Sequence, residues 1–118
     1  MAEHNELGRK GEYLAEVFLK TKGFEILHRN WRHGHYEIDI VALREKLLHF
    51  VEVKARKFSP NGHPEDSVSK KKFRFLLAAA DEYLHRYPGH KHIQFDILAI
   101  TLFSGKEPDF LLIEDVYL

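Results

Sequence analysis

Residues 50–56 read FVEVKAR, a strongly β-forming run that carries Glu52 and Lys54 two positions apart in its middle. Side chains alternate along a strand, so residues i and i+2 share a face. In the longer run LLHFVEVKARK (47–57), Leu48, Phe50, Glu52, Lys54 and Arg56 therefore share one face. Leu47, His49, Val51, Val53 and Ala55 share the other. One reading is a hairpin with a wet face and a Glu–Lys pair worth less than ~1 kcal/mol. The other is the acid and base of a functional site. Leu48 and Phe50 speak for partial cover of the charged face, and covered ions lose hydration at a cost of several kcal/mol unless partners compensate. Locally expensive placements of this kind are where functional sites tend to be found. Spacing alone leaves both readings open.

The preceding stretch, YEIDIVAL (36–43), alternates with period two and is separated from the first run by Arg44, Glu45 and Lys46, read as a turn. The two strands are then neighbours. Glu37, Asp39 and Val41 are expected on one face, with Ile38, Ile40 and Ala42 on the other. Asp39 and Glu52 would converge, with Lys54 beside them. Two carboxylates joined by a lysine suit phosphodiester hydrolysis. Mg²⁺ prefers oxygen ligands and is commonly held by one or two carboxylates. It polarises a phosphoryl oxygen and makes hydroxide available from water, while a lysine orients that water or neutralises transition-state charge.

Farther out, residues 6–22 read as a first helix, with Leu7, Leu14, Val17 and Phe18 at helical spacing, Gly23 as a stop, and Gly8 and Gly11 weakening its first turns. FEILHRNWR (24–32) reads as a strand and His33, Gly34 and His35 as a turn. FSPNGHPED (58–66) is a loop. A second helix is expected from Asp66 to about Tyr87, capped by Asp66 or Ser67, with Val68, Phe75, Leu76, Ala79, Tyr83 and Leu84 as its apolar stripe. Its start, KKKFR (70–74), places positive charge where the helix dipole disfavours it. IQFDILAITLF (93–103) and DFLLIEDVYL (109–118) read as two strands around the turn SGKEP. The expected fold is α/β: an antiparallel meander, a crossover helix, and a mixed sheet flanked by helices.

The totals are compatible with that plan. A chain of 118 residues, 44% apolar and 31% charged, fits one compact domain spanning residues 1–118. With no cysteine, thiol catalysis, disulfides and thiolate zinc sites are excluded, which fits a reducing cytoplasm. No stretch approaches the ~20 apolar residues of a membrane helix, and the start shows no signal core, so a soluble cytoplasmic protein is expected. Formal net charge is zero, but its distribution is uneven. Residues 54–74 carry Lys54, Arg56, Lys57, Lys70, Lys71, Lys72 and Arg74 against Glu65 and Asp66, whereas residues 93–118 set Lys106 against Asp96, Glu107, Asp109, Glu114 and Asp115. Such polarity suits a phosphate backbone on one side, or else marks two solvated faces that differ. The pairs His33/His35 and His90/His92 sit at turns without a third ligand and read as solvated loop histidines. Asp96, in an apolar strand, reads as a buried polar anchor. Trp31 and Arg32 either clamp nucleic acid or close a hydrophobic edge.

EID followed by EVK, with Asp39, Glu52 and Lys54 in order, resembles the PD-(D/E)xK nuclease signature. More closely, GRKGEYLAEVFL, GFEILHRNWR, EIDIVA, FVEVKAR and VSKKKFRFLLAAADEYL together resemble the YraN-like family of uncharacterised bacterial proteins. The resemblance implies a restriction-endonuclease-like fold, related in outline to Holliday-junction resolvases, and a metal-dependent endonuclease acting on DNA, on branched or damaged structures. It implies Glu12, Asp39 and Glu52 as metal ligands with the Val53 carbonyl, Lys54 as the catalytic lysine, and Mg²⁺ or Mn²⁺ as the ion. Arg9, Lys10, Arg32, Arg56, Lys70 and Lys72 are the expected nucleic-acid contacts. Ile38 stands where the signature has proline, and Tyr36 where relatives have glycine. The alternative is a nucleic-acid-binding module that keeps the fold without cleaving. Related nucleases often pair to cut two strands, so a homodimer is a further expectation, though no sequence feature locates an interface.

Overall fold

The computed structural model describes residues 2–60 and 70–116. Its elements are α1 (Ala2–Thr21), β1 (Glu25–His33), β2 (Tyr36–Arg44), β3 (Leu47–Lys57), α2 (Lys70–Arg86), β4 (His92–Phe103) and β5 (Lys106–Ile113). The strands form one sheet in the order β1-β2-β3-β4-β5. Every pairing is antiparallel except β3 with β4, which run parallel across the α2 crossover. This is the α/β mixed-sheet, restriction-endonuclease-like architecture expected from the sequence. Among the described residues no helix is long and apolar enough to cross a membrane.

The two helices cover opposite faces. On one, Ala15 and Leu19 of α1 pack with Phe24, Ile40, Ala42, Val51, Leu98 and Ile100. On the other, Phe73, Leu76, Ala79, Ala80 and Tyr83 of α2 pack on Ile38, Val41, Leu48 and Phe50. The helical stripes differ from those read in the sequence. Val17 and Phe75 are exposed, and Ala15, Leu19 and Phe73 take the buried positions. The reason is geometric: at about 100° per residue, Phe73 lies about 60° around the helix from Leu76, at the centre of the buried stripe, whereas Phe75 lies about 100° from it. The expected cap at Asp66 or Ser67, and Val68, lie outside the described residues.

Two further boundaries move. The β2–β3 connection is a two-residue turn, Glu45–Lys46, with both residues at positive φ (52° and 65°), the backbone that suits the twist of a tight hairpin. The β5 strand begins earlier than expected, right after Ser104–Gly105, and stops at Ile113. Beyond it Asp115 turns with φ 58°, and the Val116 amide donates to the Phe95 carbonyl at 2.7 Å.

The alternation of β2 also differs from a simple strand. Ile38 joins the α2-side cluster with Val41, whereas Ile40 and Ala42 face α1. Residues of equal parity share a face in a regular strand, so the strand must rotate between Ile38 and Ile40. The register places Asn30 of β1 opposite Asp39, between the pairs Arg29↔Ile40 and Trp31↔Ile38. Asn30 has a left-handed backbone, φ 50°, a conformation asparagine tolerates better than most residues. The irregularity therefore sits on both strands at once. It also marks where β2 leaves β3, since the ladder between them ends at Ile40↔Val51.

Candidate functional site

Asp39 stands at that departure. Its Oδ2 accepts the Val53 amide at 2.8 Å, so a side chain satisfies a strand donor just beyond the last ladder pair. Glu52, immediately before Val53, is buried on the α2 face, and Lys72 on the first turn of α2 forms an ion pair with it. That contact bears on the unfavourable basic start of α2: among the described residues its first turn carries no acid of its own, and a carboxylate that offsets its charge comes from the sheet. On the opposite side, Gly11 of α1 crosses β3 at Ala55. A Cβ added to Gly11 would lie 2.6 Å from the Ala55 Cβ, so only glycine permits this approach. The helix is thereby held where Glu12 reaches the same cavity.

The cavity is about 570 Å³, lined among others by Glu12, Asp39, Glu52, Val53, Lys54, Arg56 and Lys72. It thus gathers every residue expected as a metal ligand or catalytic lysine. At the border with the neighbouring groove, Glu12 Oε2 accepts from Asn30 Nδ2 at 3.1 Å, which ties α1 to the irregular point on β1. The other expected nucleic-acid contacts are spread more widely. Lys10 and Arg9 line adjacent grooves, Lys70 opens α2, and Arg32 pairs with Glu37 at 3.5 Å on a largely exposed stretch. Trp31 packs edge-on against Tyr83 with centroids 5.3 Å apart, closing the hydrophobic edge.

The electrostatics of the cavity are unbalanced in an informative way. The Asp39 carboxyl is pushed up from 3.8 to about 7, first by burial and then by the charge of Glu52; the Val53 amide and the Lys72 ammonium work against this shift. Burial lowers Lys54, and the like charges of Lys72 and Arg56 lower it further. Burial also pulls on Lys72, but its hydrogen bond to Glu52 and the nearby carboxylates outweigh that, and its ammonium is held above the ordinary lysine range. Two adjoining acids, one held near neutrality, favour either a shared proton or an added cation.

A second polar cluster lies on the α1 face, away from this cavity. His49 Nδ1 donates to Asp96 Oδ2 at 2.6 Å, both side chains fully buried. Asp96 Oδ1 accepts from Gln94 Nε2 at 2.8 Å and from the Asp115 amide at 3.1 Å. Glu114 Oε1 accepts from Arg44 at 3.0 Å and from Gln94 at 3.3 Å. His49, Asp96 and Glu114 bring one ligand atom each within 4.8 Å, a set able to hold a metal ion. Arg44, Gln94, the Asp115 amide and the His49 proton already occupy much of its acceptor capacity, and the His49 Nε2 is buried without a hydrogen-bond partner. Asp96 is the buried polar anchor expected from its place in an apolar strand, and His49, not among the expected site residues, is its partner. The available signal was a histidine and an aspartate interrupting two apolar strands.

Sequence comparison places these features in context. The model of the uncharacterised protein family UPF0102 matches residues 11–100, a span that includes Glu12, Asp39, Glu52, Lys54 and Lys72. The chain belongs to the UPF0102 family. A UPF0102 protein of Phocaeicola vulgatus is 46% identical over 108 residues, covering 92% of this chain and 88% of the relative. One from Parabacteroides distasonis is 43% identical over 119 residues, covering 99% and 96%. One from Chlorobium phaeobacteroides is 44% identical over 97 residues, covering 81% and 77%. UPF0102 membership agrees with the YraN-like resemblance read from the motifs.

Proposed function

We propose that this UPF0102 protein is a metal-dependent endonuclease hydrolysing DNA phosphodiester bonds. The observation that carries the reading is the Asp39–Glu52 pair at the β2–β3 departure, where burial and the neighbouring carboxylate hold the Asp39 proton to about pH 7. An oxygen-preferring divalent cation, Mg²⁺ or Mn²⁺, fits this donor set. Asp39 and Glu52 would hold it. Val53 supports them: the amide and carbonyl of one strand residue address the same side, so the Val53 carbonyl faces the gap that its amide spans to Asp39. When bound, the cation would supply Lewis acidity and lower the pKa of water for attack on phosphorus.

The chain's own groups do the rest. Lys54, on the same strand face as Glu52 and lowered by burial, holds the attacking water or a non-bridging phosphate oxygen. In hydrolysis the water oxygen bonds to phosphorus and one P–O ester bond breaks. The water gives up one proton, and the leaving alkoxide takes one up. Arg56 and the basic start of α2 receive the flanking phosphates, an electrostatic role independent of sequence. Glu12 bounds the cavity from α1 and, through Asn30, braces the turn of β1 opposite Asp39.

A second reading has one observation in its favour. Lys72 already neutralises Glu52, and Glu12 is engaged by Asn30, so the acids are partly satisfied without a cation. A non-catalytic nucleic-acid-binding module follows if that arrangement persists on DNA. The two are separated by incubating the protein with linear, flapped and four-way DNA in Mg²⁺, in Mn²⁺ and in EDTA. Metal-dependent cleavage that falls at least ~100-fold in Asp39→Asn and Lys54→Ala is expected. Cleavage surviving both substitutions would sink the site assignment, and binding without cleavage under every condition would favour the second reading.

A further inference from the structure

Beyond the acidic cavity, the ends of β3 and β4 form a second groove of about 810 Å³. It joins the first through Leu7 and Lys57, which line both. Its walls carry Lys10, Lys57 and Lys106 and its floor Phe58 and Phe103; among the described residues no carboxylate contributes to it. Phe58 is 57% exposed, and its ring stacks on Phe103 with centroids 5.1 Å apart and planes 29° from parallel. Lys106 Nζ lies over the Phe103 ring, 4.2 Å from its centroid, so the ring with an open face is that of Phe58.

The pair is held in place rather than loosely exposed. The Phe58 amide donates to the Leu102 carbonyl at 2.7 Å, which continues the parallel register that ends at Lys57↔Leu102. Phe103 follows an irregularity in the β4–β5 pairing and faces Lys106. The same rings also line a smaller cleft, about 220 Å³, with Arg56, Lys57 and Asp109. The larger groove, with three lysines and no carboxylate among the described residues, is the better suited to an anion. A lone exposed aromatic needs no explanation, but a fixed aromatic pair rimmed by three ammonium groups has the composition of a surface that stacks bases while gripping their phosphates.

We infer that Phe58, backed by Phe103, is a stacking platform for an unpaired base of single-stranded DNA, whose phosphates lie on Lys10, Lys57 and Lys106 as the strand leaves the Asp39–Glu52 cavity. The assignment to DNA rests on the nuclease reading; the stacking surface itself does not. A base inside a duplex cannot lie on that ring without unpairing, so the platform selects single strands, flaps and frayed ends over intact duplex. The lysines follow the backbone and carry no sequence preference.

The test is a binding measurement in EDTA, which separates it from catalysis. A 12-nucleotide single strand containing 2-aminopurine is titrated with the parent protein, with Phe58→Leu/Phe103→Leu, and with Lys10→Ala/Lys106→Ala. The leucine variant keeps apolar bulk, and its circular dichroism and melting curve confirm that it folds. Parent protein should quench the 2-aminopurine and bind the single strand more tightly than a blunt duplex of equal length. The leucine variant should bind roughly 5- to 100-fold more weakly and lose the quenching. The lysine variant should reduce the slope of log K against log salt by roughly 0.7 for each phosphate that a lysine no longer neutralises. Unchanged affinity and quenching in the leucine variant would overturn the platform, as would failure of the parent to bind the strand, or binding of an RNA 12-mer alone. If DNA is cleaved in Mg²⁺ while the leucine variant binds normally, the platform falls and the nuclease stands. If the strand is bound and quenched but no DNA is cleaved, the platform stands and catalysis falls.

Discussion

Replacing Asp39 with asparagine should stabilise the metal-free protein at alkaline pH and leave it unimproved in acid. The Asp39 carboxyl rises from 3.8 to about 7 because burial and Glu52 disfavour its charge. A raised acid means that the folded state binds more protons than the unfolded chain between those two values. The slope of stability with pH is then negative, and stability is lost as pH climbs from about 4 to about 7. A displacement of about three units, at ~1.36 kcal/mol per unit, gives a limit of about 4 kcal/mol. The cavity is open to water and ions, which relieves part of this, so about 2 kcal/mol is the expected gain for Asp39→Asn at pH 8. Asparagine keeps an oxygen that can accept the Val53 amide, so the hydrogen bond does not confound the comparison. Urea unfolding of both proteins in EDTA at pH 4.5, 6 and 8, followed by circular dichroism, measures the difference. Curves that stay parallel across this range, with equal m-values, would refute the account of Asp39. Excess Mg²⁺ should then reverse the order at pH 8, stabilising the parent and not the variant.

Gly11→Ala should destabilise the fold by roughly 1–3 kcal/mol despite its better helix propensity, because its Cβ would meet Ala55 at 2.6 Å. Gly8→Ala, with nothing within 4 Å of its Cβ, should instead gain about 0.5–1 kcal/mol, and thermal melts of the two variants give the comparison. Lys72→Met leaves Glu52 buried without its cation; with the lysine half exposed, the loss should be about 1–2 kcal/mol, and Mg²⁺ should raise the melting temperature of this variant more than that of the parent. Asp96→Ala removes the acceptor for His49, Gln94 and the Asp115 amide together, and should cost about 3–5 kcal/mol by urea unfolding. A loss below about 1 kcal/mol would mean that water takes over those bonds.

The strands, the two helices and the adjacency of Asp39 and Glu52 were legible because each rests on local periodicity and one short turn. FVEVKAR was ambiguous by spacing, and the ordered motifs around it, with Glu12 and Asp39 at matching places, pointed to a site. What could not be read is what tertiary pairing decides. The rotation of β2 at Asp39 depends on Asn30, a residue on another strand in a left-handed conformation that no alternation pattern announces. The pairing of His49 with Asp96 depends on a parallel register across a helix, where His49 faces Gln94. The choice of Phe73 over Phe75 depends on how α2 rolls onto the sheet. The glycines of α1 looked like defects, and only the close approach to Ala55 gives Gly11 a purpose.

The sheet order has a consequence for the timing of assembly. Strand β3 is joined to β2 by a two-residue turn but to β4 only across α2, with Leu47 facing His92 and Lys57 facing Leu102. Hairpins close in about 1–10 µs, whereas a parallel join at such separation must first meet the entropy of a long loop. Asp39 and Glu52 therefore meet early, while both are still in water and their repulsion is weak. Lys72 and the cover of β4 arrive late. Changes at Lys72 or Asp96 should accordingly speed unfolding and leave the folding rate nearly untouched, so that the acidic pair is buried only once its counter-charge is at hand.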